Sequence, residues 1–362
     1  MSRQTNGSEP LLGIFVPVRE AQRALQMLRR MKLRREGFRF LRGGELVGIP
    51  LVGPPSAANE KNLRTELGEL CIREASFEPV LARPRNLRDA VQSTVPSNLL
   101  SKLPRSLDVV GDIAIVELSP ELEPYSNVVG KGVLLVNPHV RLVLKKASDV
   151  TGVFRTRGLQ VLAGSGGTET VHREFGCLYR LDVTSVYFNP RLGNERRRVA
   201  KMAEAGDVVV DMFAGVGPYS ILIAKQQPQS TVYALDINPS AGKYLKENVL
   251  ANGVTDRVIP LLGDARVLAE SRLQAKADRV IMNLPSEAER FLDAACLILK
   301  GMGGMIHFYC FAERGTDLSA VKGHFISLVS SQGRTVQTFI GCSVVREISP
   351  TRVQIAIDAF VR

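Results

Sequence analysis

From residue 207 to the C-terminus, apolar runs and helix-period stretches take turns along the chain. DVVVDMF, TVYALDI, RVIPLLGD, DRVIMNLP and GMIHFYCF are short and mostly β-branched or aromatic, and helical stretches separate them. Strands covered on both faces read as near-continuous apolar runs, and strands alternating with helices predict a parallel sheet between two helical layers. The final runs, RTVQTFIGCSVV and TRVQIAIDAFV, have no helix between them and predict an antiparallel pair at one sheet edge.

The pattern ahead of residue 207 is less regular. Residues 11–53 read as strand, helix, strand, with the helix over 20–35 placing Leu25, Leu28 and Met31 on one side and Arg29, Arg30, Arg34 and Arg35 largely elsewhere. VGPPSAANEKN interrupts the periodicity and reads as a linker or exposed loop. From about residue 85 a helical stretch, NLRDAVQSTVPSNLLSKLP, precedes strand-like runs at SLDVVGDIAIVELSP, VGKGVLLVN, RLVLKK, LQVLAG and LYRLDVTSVYF. RLGNERRRVAKMAEAGD then reads as a helix entering the last region. The chain therefore divides into a small α/β domain at 1–84, a second at 85–190, and a larger one at 191–362, in keeping with its 362 residues.

Charge adds a partner class to this outline. Lys and Arg outnumber Asp and Glu by 30 to 20 over residues 1–200, but only by 17 to 16 over 201–362. A basic surplus attracts polyanions, nucleic acid above all, although it can equally be a solvated face. The five cysteines are scattered without a Cys-x-x-Cys pair and the four histidines are as dispersed, so neither a disulfide framework nor a metal site is expected. No apolar stretch is long enough to cross a bilayer, and MSRQTNGSEP lacks the order of a secretory signal, so a cytoplasmic, membrane-free protein is expected.

Candidate chemistry gathers at the predicted strand ends. DVVVDMF runs into AGVGPYS, which puts Asp211, Gly215 and Gly217 at the first strand-to-helix turn, where doubly wound sheets bind ligands and glycine lets the backbone approach them. The second strand ends at Asp236, where a carboxylate can accept both ribose hydroxyls of an adenosine. The third ends at Asp264, placed to meet an adenine edge. A dinucleotide site would want glycine where this chain has Ser220, and it would suffer from the negative charge of Asp211 near a pyrophosphate. The cationic, phosphate-free S-adenosylmethionine suits the acidic set better. The fourth strand ends in Asn283-Leu284-Pro285, suited to holding a planar nitrogen base beside a methyl donor, although N-x-P is also a common surface turn.

DVVVDMFAGVGPYS, YALDINP, RVIMNLP and GGMIHFY, together with FRTR, HREFGCLYRLDV and VYFNPRLGNE ahead of them, resemble the archaeal and eukaryotic tRNA methyltransferases that act on nitrogen 1 of guanosine 37. The resemblance runs from about residue 106 to the C-terminus, with only a loose likeness in element order over 1–85. It implies a Rossmann-like class I methyltransferase domain, with a mostly parallel sheet and an antiparallel edge, behind two smaller α/β domains. It also implies a monomer that holds the tRNA at its anticodon stem-loop and at a more distant part. Nitrogen 1 of guanine carries a proton, so methylation needs a base to remove it and a cation to steady charge on oxygen 6. By the resemblance Glu195 is that base and Arg155 that cation, with Arg157 a candidate phosphate contact. From its context alone, a Glu among Arg191, Arg196, Arg197 and Arg198 reads as a helix-surface ion pair.

The resemblance further implies that Tyr187 and Asn283 shape the base pocket with Pro285 beside the donor methyl. Arg196, Asp236, Ile237, Asp264, Ala265 and Asn283 match its cofactor contacts, and Phe213 packs by the methionine moiety. Tyr187 as ordinary strand packing remains the plain alternative. Lys145 and Lys146, with the arginines of the N-terminal helix, are candidate phosphate contacts. Two other functions remain open: a wyosine-pathway transferase that moves the aminocarboxypropyl group, or a methyl group to carbon, onto the tricyclic base at the same position, and a non-catalytic RNA-binding relative.

Overall fold

The structure is a computed structural model that describes residues 8–80, 84–147, 152, 154 and 158–362. The chain forms two compact units, residues 1–84 and 85–362. In the first, β1 (Glu9–Pro17), α1 (Ala21–Arg30), β2 (Leu41–Gly43), β3 (Leu46–Pro50), α2 (Ala57–Leu67) and β4 (Cys71–Phe77) follow one another. The strands make an antiparallel sheet in the order β2-β3-β1-β4. Ile14 and Val16 of β1, Ala24 and Leu28 of α1, Ile49 of β3 and Leu63 of α2 form its buried core. The stretch expected as a linker instead opens α2, because the Ser56 hydroxyl accepts the Asn59 N–H as an N-cap and Leu63 and Leu67 complete an apolar stripe.

The second unit begins with a four-stranded sheet flanked by short helices. Its elements are α3 (Leu87–Val91), β5 (Asp108–Val110), β6 (Ile113–Val116), α4 (Ser126–Val136), β7 (Leu142–Lys146) and β8 (Leu159–Gly164), with strand order β5-β6-β7-β8. The run expected as one strand around DVVGDIAIVEL is a tight hairpin turning at Gly111 (φ 58°). VGKGVLLVN, expected as a strand, lies largely in α4. Its β-branched residues carry strand propensity, but Val129 and Val133 recur at helical spacing in the core. Its glycines permit a close approach: a Cβ on Gly130 would stand 2.8 Å from that of Leu162, and one on Gly132 would stand 2.6 Å from Val91.

A hairpin of β9 (Glu169–Glu174) and β10 (Cys177–Asp182) leads through α5 (Gly193–Met202) into the seven-stranded sheet. There follow β11 (Val208–Asp211), α6 (Pro218–Gln226), β12 (Thr231–Asp236), α7 (Pro239–Ala251), β13 (Val258–Leu262), α8 (Ala265–Leu268), β14 (Arg279–Met282), α9 (Leu292–Ile298), β15 (Gly304–Glu313), α10 (Leu318–Ser331), β16 (Val336–Ser349) and β17 (Arg352–Val361). The order is β13-β12-β11-β14-β15-β17-β16, parallel through β15 and closed by the antiparallel β17-β16 edge that the sequence pattern predicts. Strand order reverses between β12 and β14 on either side of β11, which opens the crevice where such sheets hold ligands. Two amides of α7 tie the β9-β10 hairpin to this frame. Asn248 bonds both backbone groups of Arg180, and Asn252 bonds both of Leu178, so side chains complete a sheet edge. Among the described residues no helix is long and apolar enough to cross a membrane.

Candidate active site

The turn after β11 requires its glycines. Gly215 sits at φ 56° and Gly217 at φ 90°, in the left-handed region that L side chains avoid, and a Cβ on Gly217 would meet Leu245 at 2.6 Å. Gly215 donates its N–H to Asp236 Oδ2 at 2.7 Å, and Asn238 donates to Oδ1 at 2.8 Å, which fixes the carboxylate at the end of β12. Burial pushes the Asp236 carboxyl up, against these backbone donors. Asp264 caps α8 by accepting the Arg266 N–H at 2.8 Å.

These strand ends open into one cavity of about 470 Å³ in the second unit. Of the residues singled out from sequence, Tyr187, Arg196, Phe213, Gly215, Asp236, Ile237, Asp264, Ala265, Asn283 and Pro285 all line it. Glu195, Asp211 and Gly217 do not line it. Arg155 and Arg157 lie outside the described residues, while Gly152 and Phe154 reach the cavity wall. The set comes together from four strand ends, from α5, which carries Arg196, and from the segment between β10 and α5. That segment is held in place by the Asn238 amide, which donates to the Ser185 carbonyl at 2.9 Å.

Asp211, next in the chain to the lining residues Met212 and Phe213, is fully buried, with Oδ2 accepting the Ser220 hydroxyl at 2.8 Å and Oδ1 without a hydrogen-bond partner among the described residues. Burial raises its pKa to about 7 against the Ser220 hydrogen bond. A buried carboxylate left half-satisfied beside a cavity is suited to a cationic guest, and the wall above it is part apolar, with Phe213 and Phe291 edge-to-face at 5.1 Å. A ribose-bearing sulfonium molecule with an ammonium tail fits these residues, whereas a pyrophosphate would meet three carboxylates.

The other side of the cavity is shaped for a planar polar group. Asn283 Oδ1 accepts from the Gln354 amide at 3.4 Å, and Asn189 donates to the Tyr187 hydroxyl at 3.3 Å. Arg196 is almost wholly buried: Glu174 pairs with it through both oxygens at 2.8 and 2.5 Å, the Asn189 carbonyl accepts at 3.1 Å, and the Phe188 ring lies 5.1 Å from the guanidinium. Burial alone would lift the Glu174 carboxyl, but the hydrogen bonds of Arg196 and His172 outweigh it and hold the pKa at about 2.

Glu195, on α5, is only 8% exposed. The ion pair that residue context suggests is present, but it lies inside the protein: Arg198 donates to Oε2 at 2.9 Å and Oε1 at 2.7 Å, and the Tyr309 hydroxyl donates to Oε1 at 2.6 Å. Arg198 also donates to Asp358, which bonds His307 Nδ1 at 2.5 Å. Arg279 donates to His307 Nε2 at 2.9 Å, so that nitrogen is the acceptor and Nδ1 carries the hydrogen. Burial depresses the pKa of this imidazole despite Asp358, which keeps it neutral.

A model of the TRM5/TYW2 methyltransferase domain matches residues 170–325, and a TYW2 N-terminal domain model matches 87–168. The tRNA (guanine(37)-N(1))-methyltransferase Trm5b of Pyrococcus abyssi is 39% identical over 347 residues, covering 96% of this chain and 98% of that protein. The chain belongs to the TRM5/TYW2 methyltransferase family. Among solved structures, a complex of aTrm5 with tRNALeu is similar to this TRM5/TYW2 member at TM-score 0.76 and 30% identity, over 97% of this chain and 100% of that one. TYW2 of Pyrococcus horikoshii, solved with MeSAdo, is similar at TM-score 0.64 and 30% identity, over 77% of this chain and 99% of that one. Like the rest of the TRM5/TYW2 family the chain is an enzyme that uses S-adenosylmethionine.

Several residues that complete the site were not singled out from the sequence. Glu174, Tyr309 and Gln354 each bond a residue that was, and Tyr219 lines the cavity. Glu174 and Tyr309 stand inside the quoted motifs HREFGC and GGMIHFY, which is the signal that could have found them. Gln354 sits in an apolar strand, TRVQIAIDAFV, where a lone buried amide is itself a hint.

Proposed function

We infer that this enzyme transfers the methyl group of S-adenosylmethionine to nitrogen 1 of the guanosine at position 37 of tRNA. The observation that carries the reading is the single cavity in which the acidic strand ends meet Asn283 and Tyr187, in a chain aligned almost end to end with a curated enzyme of that activity. Asp236 accepts the ribose hydroxyls of the cofactor, Asp264 and Ala265 meet the adenine edge, Ile237 and Phe213 pack its apolar faces, and Asp211 offsets its positive charge. The bound cofactor supplies an electrophilic methyl group on a sulfonium centre.

On the base side, the Asn283 carbonyl oxygen accepts N–H groups of guanine and Tyr187 packs on its plane. Pro285, beside Asn283, borders the point of transfer. Glu195 takes the proton from nitrogen 1, so that the ring nitrogen presents a lone pair, and Arg155 steadies the negative charge that builds on oxygen 6. A base beside the anticodon is reached by splaying it from its neighbours into the pocket. The domains at 1–84 and 85–190 hold the rest of the tRNA, the second near the anticodon stem and the first at a more distant part, with the protein acting as a cytoplasmic monomer.

Mass spectrometry of nucleosides tests the reading. Purified protein is incubated with unmodified tRNA and cofactor labelled separately on the methyl and aminocarboxypropyl groups. The expected product is 1-methylguanosine at position 37 carrying the methyl label alone. Aminocarboxypropyl label in the tRNA, or no product from protein that binds the cofactor, would overturn it.

A further inference from the structure

Glu195 does not line the cavity, yet a chain of hydroxyls joins it to a residue that does. Tyr219, at the start of α6, is part of the cavity wall, and its hydroxyl donates to that of Tyr309 at 3.3 Å. Tyr309, on β15, in turn donates to Glu195 Oε1 at 2.6 Å. An ionised carboxylate can only accept, so the direction of every hydrogen in the chain is set from its far end. Tyr309 must donate to Glu195, its oxygen accepts from Tyr219, and the oxygen of Tyr219, a residue of the cavity wall, is the remaining acceptor of the chain.

We propose that Tyr219 and Tyr309 form the proton path between the base held in the cavity and Glu195. The inference rests on the reading of Glu195 as the general base. As nitrogen 1 of guanine loses its proton to the Tyr219 oxygen, the Tyr219 hydrogen passes to Tyr309 and the Tyr309 hydrogen passes to Glu195 Oε1. Both phenols end neutral, Glu195 ends protonated, and the electron pair of the N–H bond stays on nitrogen 1 for the methyl group. Tyr219 touches the cavity, whereas Tyr309 acts only through its two neighbours and is a positioning residue.

Two further features suit the chain to this work. Burial, with Glu195 nearby, pushes both phenols well above their usual range, so they stay protonated at neutral pH and conduct by exchange instead of ionising. Arg198 is shared between Glu195 and Asp358, and Asp358 is anchored by His307. When Glu195 takes up a proton, the guanidinium keeps a carboxylate partner, so neutralising Glu195 does not strand a half-buried cation.

Single-turnover methylation at saturating cofactor, in H₂O and in D₂O mixtures, tests the path on the full-length protein. Tyr309→Phe keeps the ring and removes the link. Its rate constant is expected to fall about 10–100-fold, part of the usual contribution of general base catalysis. S-adenosylmethionine affinity by calorimetry should be unchanged, and a solvent isotope dependence that is curved in the wild type should become linear. Tyr219→Phe should do the same, and the double variant should be no slower than either single one, since both break one path. A Tyr309→Phe protein with the wild-type rate and isotope dependence overturns the path while leaving the reading of the reaction intact. So does one that loses melting temperature and cofactor affinity but keeps its saturated rate. Wild-type protein that forms no 1-methylguanosine overturns the reading and the path together.

Discussion

Asp211→Asn is expected to make the cofactor-free protein more stable at alkaline pH while weakening its hold on S-adenosylmethionine. Asp211 is 0% exposed, and burial moves its pKa from 3.8 to about 7. At about 1.36 kcal/mol per pK unit, ionising it inside the fold costs on the order of 4 kcal/mol once the pH exceeds that value, and about 1 kcal/mol near pH 4.5. The folded pKa lies above the unfolded one, so the protein loses stability as pH rises through that interval and the penalty is constant beyond it. Asparagine cannot ionise. It still leaves a polar atom unpaired, at about 1–3 kcal/mol, so a net gain on the order of 1–3 kcal/mol remains near pH 8 and vanishes near pH 4.5. Urea unfolding of both proteins at the two pH values isolates the Asp211 contribution, because every other titrating group is common to both. Calorimetry at pH 8 should show weaker cofactor binding by the asparagine variant. A variant destabilised equally at both pH values would refute the claim that an ionised, half-satisfied carboxylate is held in place for the cofactor's charge.

Two further outcomes follow from the buried ion pairs. Glu195→Gln should lower single-turnover methylation by about 10²-fold or more while cofactor affinity by calorimetry stays near wild type; unimpaired turnover would remove Glu195 from the role of base. Glu174→Gln should strand the buried Arg196 guanidinium and cost about 3–5 kcal/mol in urea unfolding at neutral pH. The Glu174 carboxyl is held at about 2 in the fold, below its ordinary 4.5, so its stabilisation is complete above the ordinary value and fades as pH falls toward the lower one. The gap between the two proteins should therefore narrow in acid, and a gap independent of pH would count against the pair.

The alternation of apolar strands and helices from residue 207 onward was legible because the inner strands β11, β12, β14 and most of β15 are buried on both faces, so each reads as a run that needs no partner to be recognised, while β13 at the sheet edge leaves Ile259 and Leu262 exposed. The strand ends carried the candidate cofactor site for a related reason. In a parallel sheet every such end emerges on the same side, so Asp236, Asp264 and Asn283, spread over 48 positions of sequence, had to converge once the fold was granted. Legibility failed where a neighbour overrode local preference. VGKGVLLVN became α4 because Gly130 and Gly132 let a helix settle against β8 and α3, a contact no local window contains.

What the sequence determined by itself, then, is the order of strands and helices in the last region, the acidic row at their carboxyl ends and the motifs shared with a methyltransferase family. What only the tertiary structure decided is which charges meet in the interior. Glu195 reads as a surface partner of its own helix until β15 and β17 bring Tyr309 and Asp358 to it and its arginine from more than a hundred residues away. Surroundings, not residue type, then set what a carboxylate does: burial pushes Asp211 toward neutrality against its Ser220 donor, while at Glu174 the hydrogen bonds of Arg196 and His172 outweigh burial and keep it charged.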